Sequence, residues 1–187
     1  MGGMTMKHVL VVHSASEQNY DSGSNPLIRY LKSQLQGIEW HTPSFPREDG
    51  QVYKNWVKVL TETLADIPEE DELIIIGHSF GGTVVMKYLT ENQDTHHISK
   101  VVLIGSPFFG CDDKFSAPEN KLKEHAEDAL DSKIILYHIQ SEDDDRVNIS
   151  HQDCWRQHFK GLNTITKKEG KHEFHQGIED LLPILES

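Results

Sequence analysis

The chain has 187 residues, with 30 acidic against 18 basic side chains and a formal charge of -12. Such a charge repels phosphate backbones and anionic lipid surfaces, so neither nucleic acid nor a membrane is an expected partner. Charged residues at 26% and apolar residues at 36% make an ordinary soluble composition with no Pro/Gly/Ser-rich linker, which excludes extensive disorder and implies one domain over 1–187.

Met1 to Met6 is expected to form a flexible start. The apolar stretch Val9 to Val12 after it is too short for a signal peptide or a membrane span. Strand-like runs then recur at His8 to Val12, Gly37 to His41, Leu73 to Ile76, Lys100 to Ile104, Ile134 to Ile139 and Leu162 to Thr166. Helical spacing fills the gaps. Pro26 to Gln36 sets Leu27, Ile28, Leu31 and Leu35 on one face, with Asn25 as the expected N-cap. Val52 to Ile67 repeats Val52, Trp56, Leu60 and Leu64, and a helix with Val84, Val85, Tyr88 and Leu89 comes after Ser79. Weaker helices are expected over Glu119 to Leu130, Ser150 to Lys160 and Gln176 to Glu186. Strands that are apolar on both faces, alternating with helices, predict an α/β/α three-layer sandwich around a mostly parallel six-stranded sheet. In such sheets ligands sit at the carboxyl ends of the strands. The two cysteines, Cys111 and Cys154, can pair only once, which is no disulfide framework and fits a reducing, cytoplasmic compartment.

The segment Leu73-Ile74-Ile75-Ile76-Gly77-His78-Ser79-Phe80-Gly81 runs an apolar strand directly into G-x-S-x-G. The pentapeptide alone is a weak signal. With a strand before it and a helix behind it, it predicts a nucleophile elbow, in which the serine is held in a strained conformation above the sheet and the helix start offers unpaired N–H groups to an oxyanion. A serine nucleophile needs a base, and the base needs a carboxylate to set its tautomer. On this topology both come after later strands. The loop Glu142-Asp143-Asp144-Asp145-Arg146-Val147 supplies the acid, and Gly170-Lys171-His172-Glu173-Phe174-His175 supplies the base.

On these motifs the chain resembles the α/β-hydrolases, and in particular the small single-domain serine hydrolases grouped with retinoblastoma-binding protein 9, whose members lack the first two strands of the full fold. The resemblance runs from His8 to the C-terminal helix. It implies a Ser79, Asp144, His172 triad. Asp-x-x-Val selects Asp144 over Asp143, and Gly-x-His selects His172 over His175. Where many relatives have His-Gly after the first strand, this chain reads His13-Ser14-Ala15. Ala15 is then the expected oxyanion donor beside Phe80, with Ser14 as the alternative. The stretch Ser106 to Ser132 is too short for a large cap domain. Phe108, Phe109 and Phe115 are candidates for an acyl pocket, although aromatic residues at a strand end more often belong to the core.

No cofactor and no metal are expected. His172-Glu173-Phe174-His175 spaces its histidines by three where H-E-x-x-H needs four, and His96-His97 has no companion at ligand spacing. Neither cysteine lies at an elbow. The expected activity is hydrolysis of a small acyl ester through an acyl-enzyme on Ser79, with a small-molecule acyl substrate as partner and any protein partner unknown. The alternative is a hydrolase-fold protein that acts by binding a ligand or another protein.

Overall fold

The computed structural model describes residues 5–187, so most of the expected flexible start lies outside the described residues. Strands β1 (Lys7–Val12), β2 (Ile38–His41), β3 (Glu72–His78), β4 (His97–Ile104), β5 (Ile135–Ser141) and β6 (Asn163–Lys167) form one sheet in the order β2-β1-β3-β4-β5-β6. Every pairing is parallel.

Both faces are covered, which is why the strands read as continuous apolar runs. Leu10, Val12, Leu73, Ile75, Val101 and Leu103 cluster with α2 (Tyr53–Leu64), α3 (Phe80–Glu91) and Trp155 of α5 (Ser150–His158). Their sequence neighbours Val9, Val11, Ile74, Ile76, Val102 and Ile104 cluster on the other face with α1 (Asn25–Gln34) and α6 (Leu181–Glu186). Each fully buried Leu, Ile or Val contributes about 1.5–3 kcal/mol relative to exposure. Central β3, with Leu73 to Ile76 at most 1% exposed, is therefore firmly held and a rigid mount for Ser79 at its carboxyl end.

Three expected helices differ from those observed. Ser24, not Asn25, is the N-cap of α1, and it makes no side-chain cap bond because its hydroxyl is engaged elsewhere. The helix expected over Glu119 to Leu130 is reduced to a 3-10 turn at Pro118–Asn120 and the single turn α4 (Ala126–Ala129). Asn120 turns inward to bond the backbone of Gln51 and Tyr53, and His125 takes a left-handed conformation before α4. The last helix starts at Leu181 rather than Gln176. Pro183 explains the delay: it lacks an N–H and is tolerated only in a first turn.

Cys111 and Cys154 are joined in a disulfide across a separation of 43 residues, tying the β4–β5 connection to α5. One bond is no framework, as expected, but its presence removes cysteine usage as an argument for a reducing compartment. No described helix is long and apolar enough to cross a membrane.

Candidate active site

Ser79 sits between the last residue of β3 and the first of α3 with φ 56 and ψ -125. A non-glycine residue there costs on the order of 1–3 kcal/mol and persists only where its surroundings over-determine it. Here a rigid strand and a helix grip it from both sides, and its N–H donates to Ile104 of β4 at 2.7 Å. Gly81 is obligatory for close approach. A Cβ at that position would lie 2.1 Å from the carbonyl oxygen of Val12, so only glycine lets α3 begin against the end of β1.

The loops after β5 and β6 deliver the other two groups to Ser79. The Ser79 hydroxyl donates to His172 Nε2 at 2.7 Å. His172 Nδ1–H in turn donates to the Asp144 carboxylate, at 2.9 Å from Oδ2 and 3.1 Å from Oδ1. The His172 and Asp144 side chains are 3% and 0% exposed. The remaining lone pairs of Asp144 are also used. Oδ1 accepts the backbone N–H groups of Arg146 and Val147, both at 2.9 Å, and Oδ2 accepts from Gln140 Nε2 at 3.2 Å. Burial pushes the Asp144 carboxyl up, but the hydrogen bond and charge of His172 and the two N–H donors outweigh it and hold it below the usual carboxylate value. The Val147 contact gives the Asp-x-x-Val spacing a physical reason: the buried valine anchors the turn whose N–H orients the carboxylate.

Asp143 is elsewhere. It accepts the Lys171 N–H at 2.9 Å, which lowers its carboxyl and fastens the acid loop to the base loop. His175 is exposed. In the base loop Gly170 has φ 132, and a Cβ there would stand 2.5 Å from the Phe174 ring. Lys171 and Phe174 also have positive φ, so His172 is carried on a tightly wound turn that requires glycine at its start.

Residues that no sequence motif singles out complete the site. His78, the variable position of the pentapeptide, donates Nε2–H to the His172 carbonyl at 3.0 Å and accepts the Ser24 hydroxyl at Nδ1 at 2.7 Å. Burial lowers its pKa, although the Glu173 charge acts in the other direction. Ser24 Oγ then accepts the Ser14 N–H at 3.0 Å. Glu173 is buried and accepts from Ser16 at 2.7 Å and from Arg146 Nη1 at 3.1 Å, linking the loops after β1, β5 and β6. Burial raises its carboxyl, yet His78, Ser16, His172 and Arg146 bring it below the ordinary value. A single sequence offers no periodicity that marks such loop-to-loop contacts.

Phe80 opens α3 immediately behind Ser79, so its N–H belongs to the first turn, where a helix leaves such groups unpaired. Ala15 is partly buried in the loop after β1. Phe108, Phe109 and Phe115 are buried in the core cluster, and the first two also border a cleft of about 480 Å³ with segment 121–128. A hollow of about 540 Å³ is bordered by Asp143, Arg146, His172 and Glu173. Neither hollow includes Ser79 in its lining. The segment from Ser106 to Ser132 holds only two short helical turns, so no large cap lies between β4 and β5. His172, Glu173 and His175 do not converge as ligands, because the first two are committed to Ser79, Asp144, Ser16 and Arg146.

Solved structures share this fold over nearly its whole length. The ydeN gene product of B. subtilis is 15% identical with a TM-score of 0.71, and the alignment covers 97% of each chain. A pyrethroid hydrolase from Sphingobium faniae JZ-2 is 12% identical at a TM-score of 0.63, covering 98% of this chain and 96% of that one. An esterase from Exiguobacterium antarcticum is 13% identical at 0.63, covering 98% and 94%. At these identities the likeness speaks for the fold. No curated relative matches the sequence. The likeness to the retinoblastoma-binding protein 9 group remains one of motifs, while a broader family is reached directly. A profile described as serine aminopeptidase, S33, matches residues 36–167, well over half the chain, and the chain belongs to that family of α/β-fold hydrolases.

Proposed function

We propose that the protein is a serine hydrolase that cleaves small acyl esters through an acyl-enzyme on Ser79. The observation that carries this reading is the unbroken hydrogen-bond chain from Asp144 through His172 to a serine held at φ 56. Ser79 Oγ attacks the acyl carbon while His172 Nε2 takes its proton. His172 then returns that proton to the departing alkoxide oxygen as the ester C–O bond breaks. Water repeats the sequence in the second half, giving up a proton to His172 as it attacks the acyl carbon and releasing the carboxylic acid and Ser79. Asp144 fixes the Nδ1–H tautomer and stabilises the imidazolium.

The Phe80 and Ala15 N–H groups hold the oxyanion in this scheme. In support of Ala15 over Ser14, the Ser14 N–H is already given to Ser24. The acidic surface and the short β4–β5 connection favour small neutral or weakly polar acyl groups. The test is turnover of short-chain activated esters by the wild type and by Ser79→Ala. The variant is expected to lose at least about four orders of magnitude in kcat. Equal turnover by both proteins would remove Ser79 from the mechanism, and no turnover of any ester by the wild type would favour a ligand-binding role.

A further inference from the structure

A second cluster of chemistry-bearing side chains lies on the edge strand β2 and the first half of β1, away from Ser79 at the carboxyl end of β3. The register of β1 with β2 sets His8 opposite Glu39 and Leu10 opposite His41. His8, Glu39 and His41 therefore project from the same face of the two strands. One potential ligand atom from each lies within 4.8 Å of the others. His8 Nδ1 is 2.9 Å from His41 Nε2 and 3.7 Å from Glu39 Oε2. A tetrahedral zinc ion with ligands at about 2.0–2.1 Å sets neighbouring ligand atoms about 3.3 Å apart, between those two spacings.

The surroundings favour a cation over a bare histidine pair. His8 Nε2–H donates to Asp71 Oδ2 at 2.8 Å, which leaves the Nδ1 lone pair facing the cluster. A carboxylate behind an imidazole is the arrangement that orients metal-ligating histidines and raises their basicity. With no metal, a proton must sit between His8 Nδ1 and His41 Nε2 for the two to bond, and a metal ion replaces that proton. The Glu39 side chain is 54% exposed, so the cluster is open to entry and to a water as fourth ligand.

We propose that His8, His41 and Glu39 bind one divalent transition-metal ion, with zinc the best match to two imidazoles and a carboxylate, and with Asp71 orienting His8. The ion clips the edge strand β2 to β1. It takes no part in ester cleavage, because the strands' length separates it from Ser79. His8 and His41 are separated by 33 positions in the chain, so only the strand register brings them together.

The test uses the full chain freed of metal by chelator, titrated with zinc chloride by calorimetry, with melting temperature as a second readout. The wild type is expected to take up one zinc per chain saturably and to melt higher with zinc, while millimolar magnesium does neither. His41→Gln should weaken zinc binding by at least about 100-fold and abolish the melting shift. The solvent-exposed change Glu39→Gln, which carries little folding risk, should weaken binding at least about tenfold. Asp71→Asn should weaken it about 10- to 100-fold. Ester turnover should be unchanged in all three. Absence of saturable zinc binding would overturn the proposal. So would binding that survives both His41→Gln and Glu39→Gln, since the metal would then sit on other histidines among the twelve in the chain.

Discussion

Two regions of the sheet put the same two residue types to different uses. At the carboxyl ends of the strands, His172 gives one ring N–H to Asp144 and turns its other nitrogen to the Ser79 hydroxyl. On the first half of β1 and the edge strand β2, His8 gives one ring N–H to Asp71 and turns its other nitrogen to His41 and Glu39. A third pair lies between β4 and α5, where His151 bonds Asp112 at 2.6 Å and accepts the Phe108 N–H at 2.9 Å. In each case the carboxylate sets the tautomer. The group that the free lone pair meets differs: a strained hydroxyl at His172, which fits the proposed base, an imidazole with a carboxylate at His8, which fits the proposed ligand set, and a backbone N–H at His151, which is a structural tie.

Removing the tautomer-setting charge should therefore matter most at the Ser79 end. Asp144→Asn is expected to cost about 10⁴-fold in kcat, while Asp143→Asn, which disturbs only a loop tie to Lys171, should stay within about tenfold. A reversal of the two effects in steady-state ester kinetics would show that Asp143 orients the base. Glu173→Gln comes next. It loosens the junction among Ser16, Arg146 and His78, and a small misplacement of the loops should lower kcat by about 10- to 100-fold without abolishing covalent labelling.

The structural pair should respond in stability alone. Asp112→Asn is expected to leave kcat within about twofold and to cost about 1 kcal/mol in denaturant unfolding, discounted because Asp112 is partly exposed. A large loss of turnover in that variant would contradict the division drawn between the three pairs.

The pH dependence of unfolding sharpens the comparison further. Burial lowers the pKa of His13 and His78, and of His138 to about 3, whereas an unfolded histidine titrates near about 6.5. Between those values the unfolded chain binds more protons than the folded one. Stability should therefore be fully present above about pH 6.5 and fall as the pH drops toward 3. His138→Asn should flatten that slope in pH-dependent chemical denaturation, and an unchanged slope would show that His138 is not the group that titrates.

The parts of the fold that were legible in the sequence are those with local causes. The strand β3, its elbow and α3 arise from an apolar run meeting glycine and serine, and the loops after β5 and β6 are read from strand ends, while the choice of Asp144 and His172 within them rests on the resemblance to the hydrolases. Contacts between distant loops were not legible, because nothing in the spacing of His78, Ser24, Ser16 and Glu173 marks them as partners. Nor was the pairing of Cys111 with Cys154, which depends on where the β4–β5 connection settles against α5. The expected helix from Glu119 to Leu130 failed for a tertiary reason, since Asn120 is drawn inward to the start of α2. His8 and His41 looked like ordinary strand residues until the parallel register brought them together.

The proposed mechanism stands or falls on Ser79 as an activated nucleophile. Reaction of the purified protein with a fluorophosphonate probe, then proteolysis and mass mapping, tests it without assuming a substrate. Stoichiometric modification of the peptide that carries Ser79 is expected, abolished in Ser79→Ala. Absence of labelling in the wild type, or labelling that persists in Ser79→Ala, would contradict it.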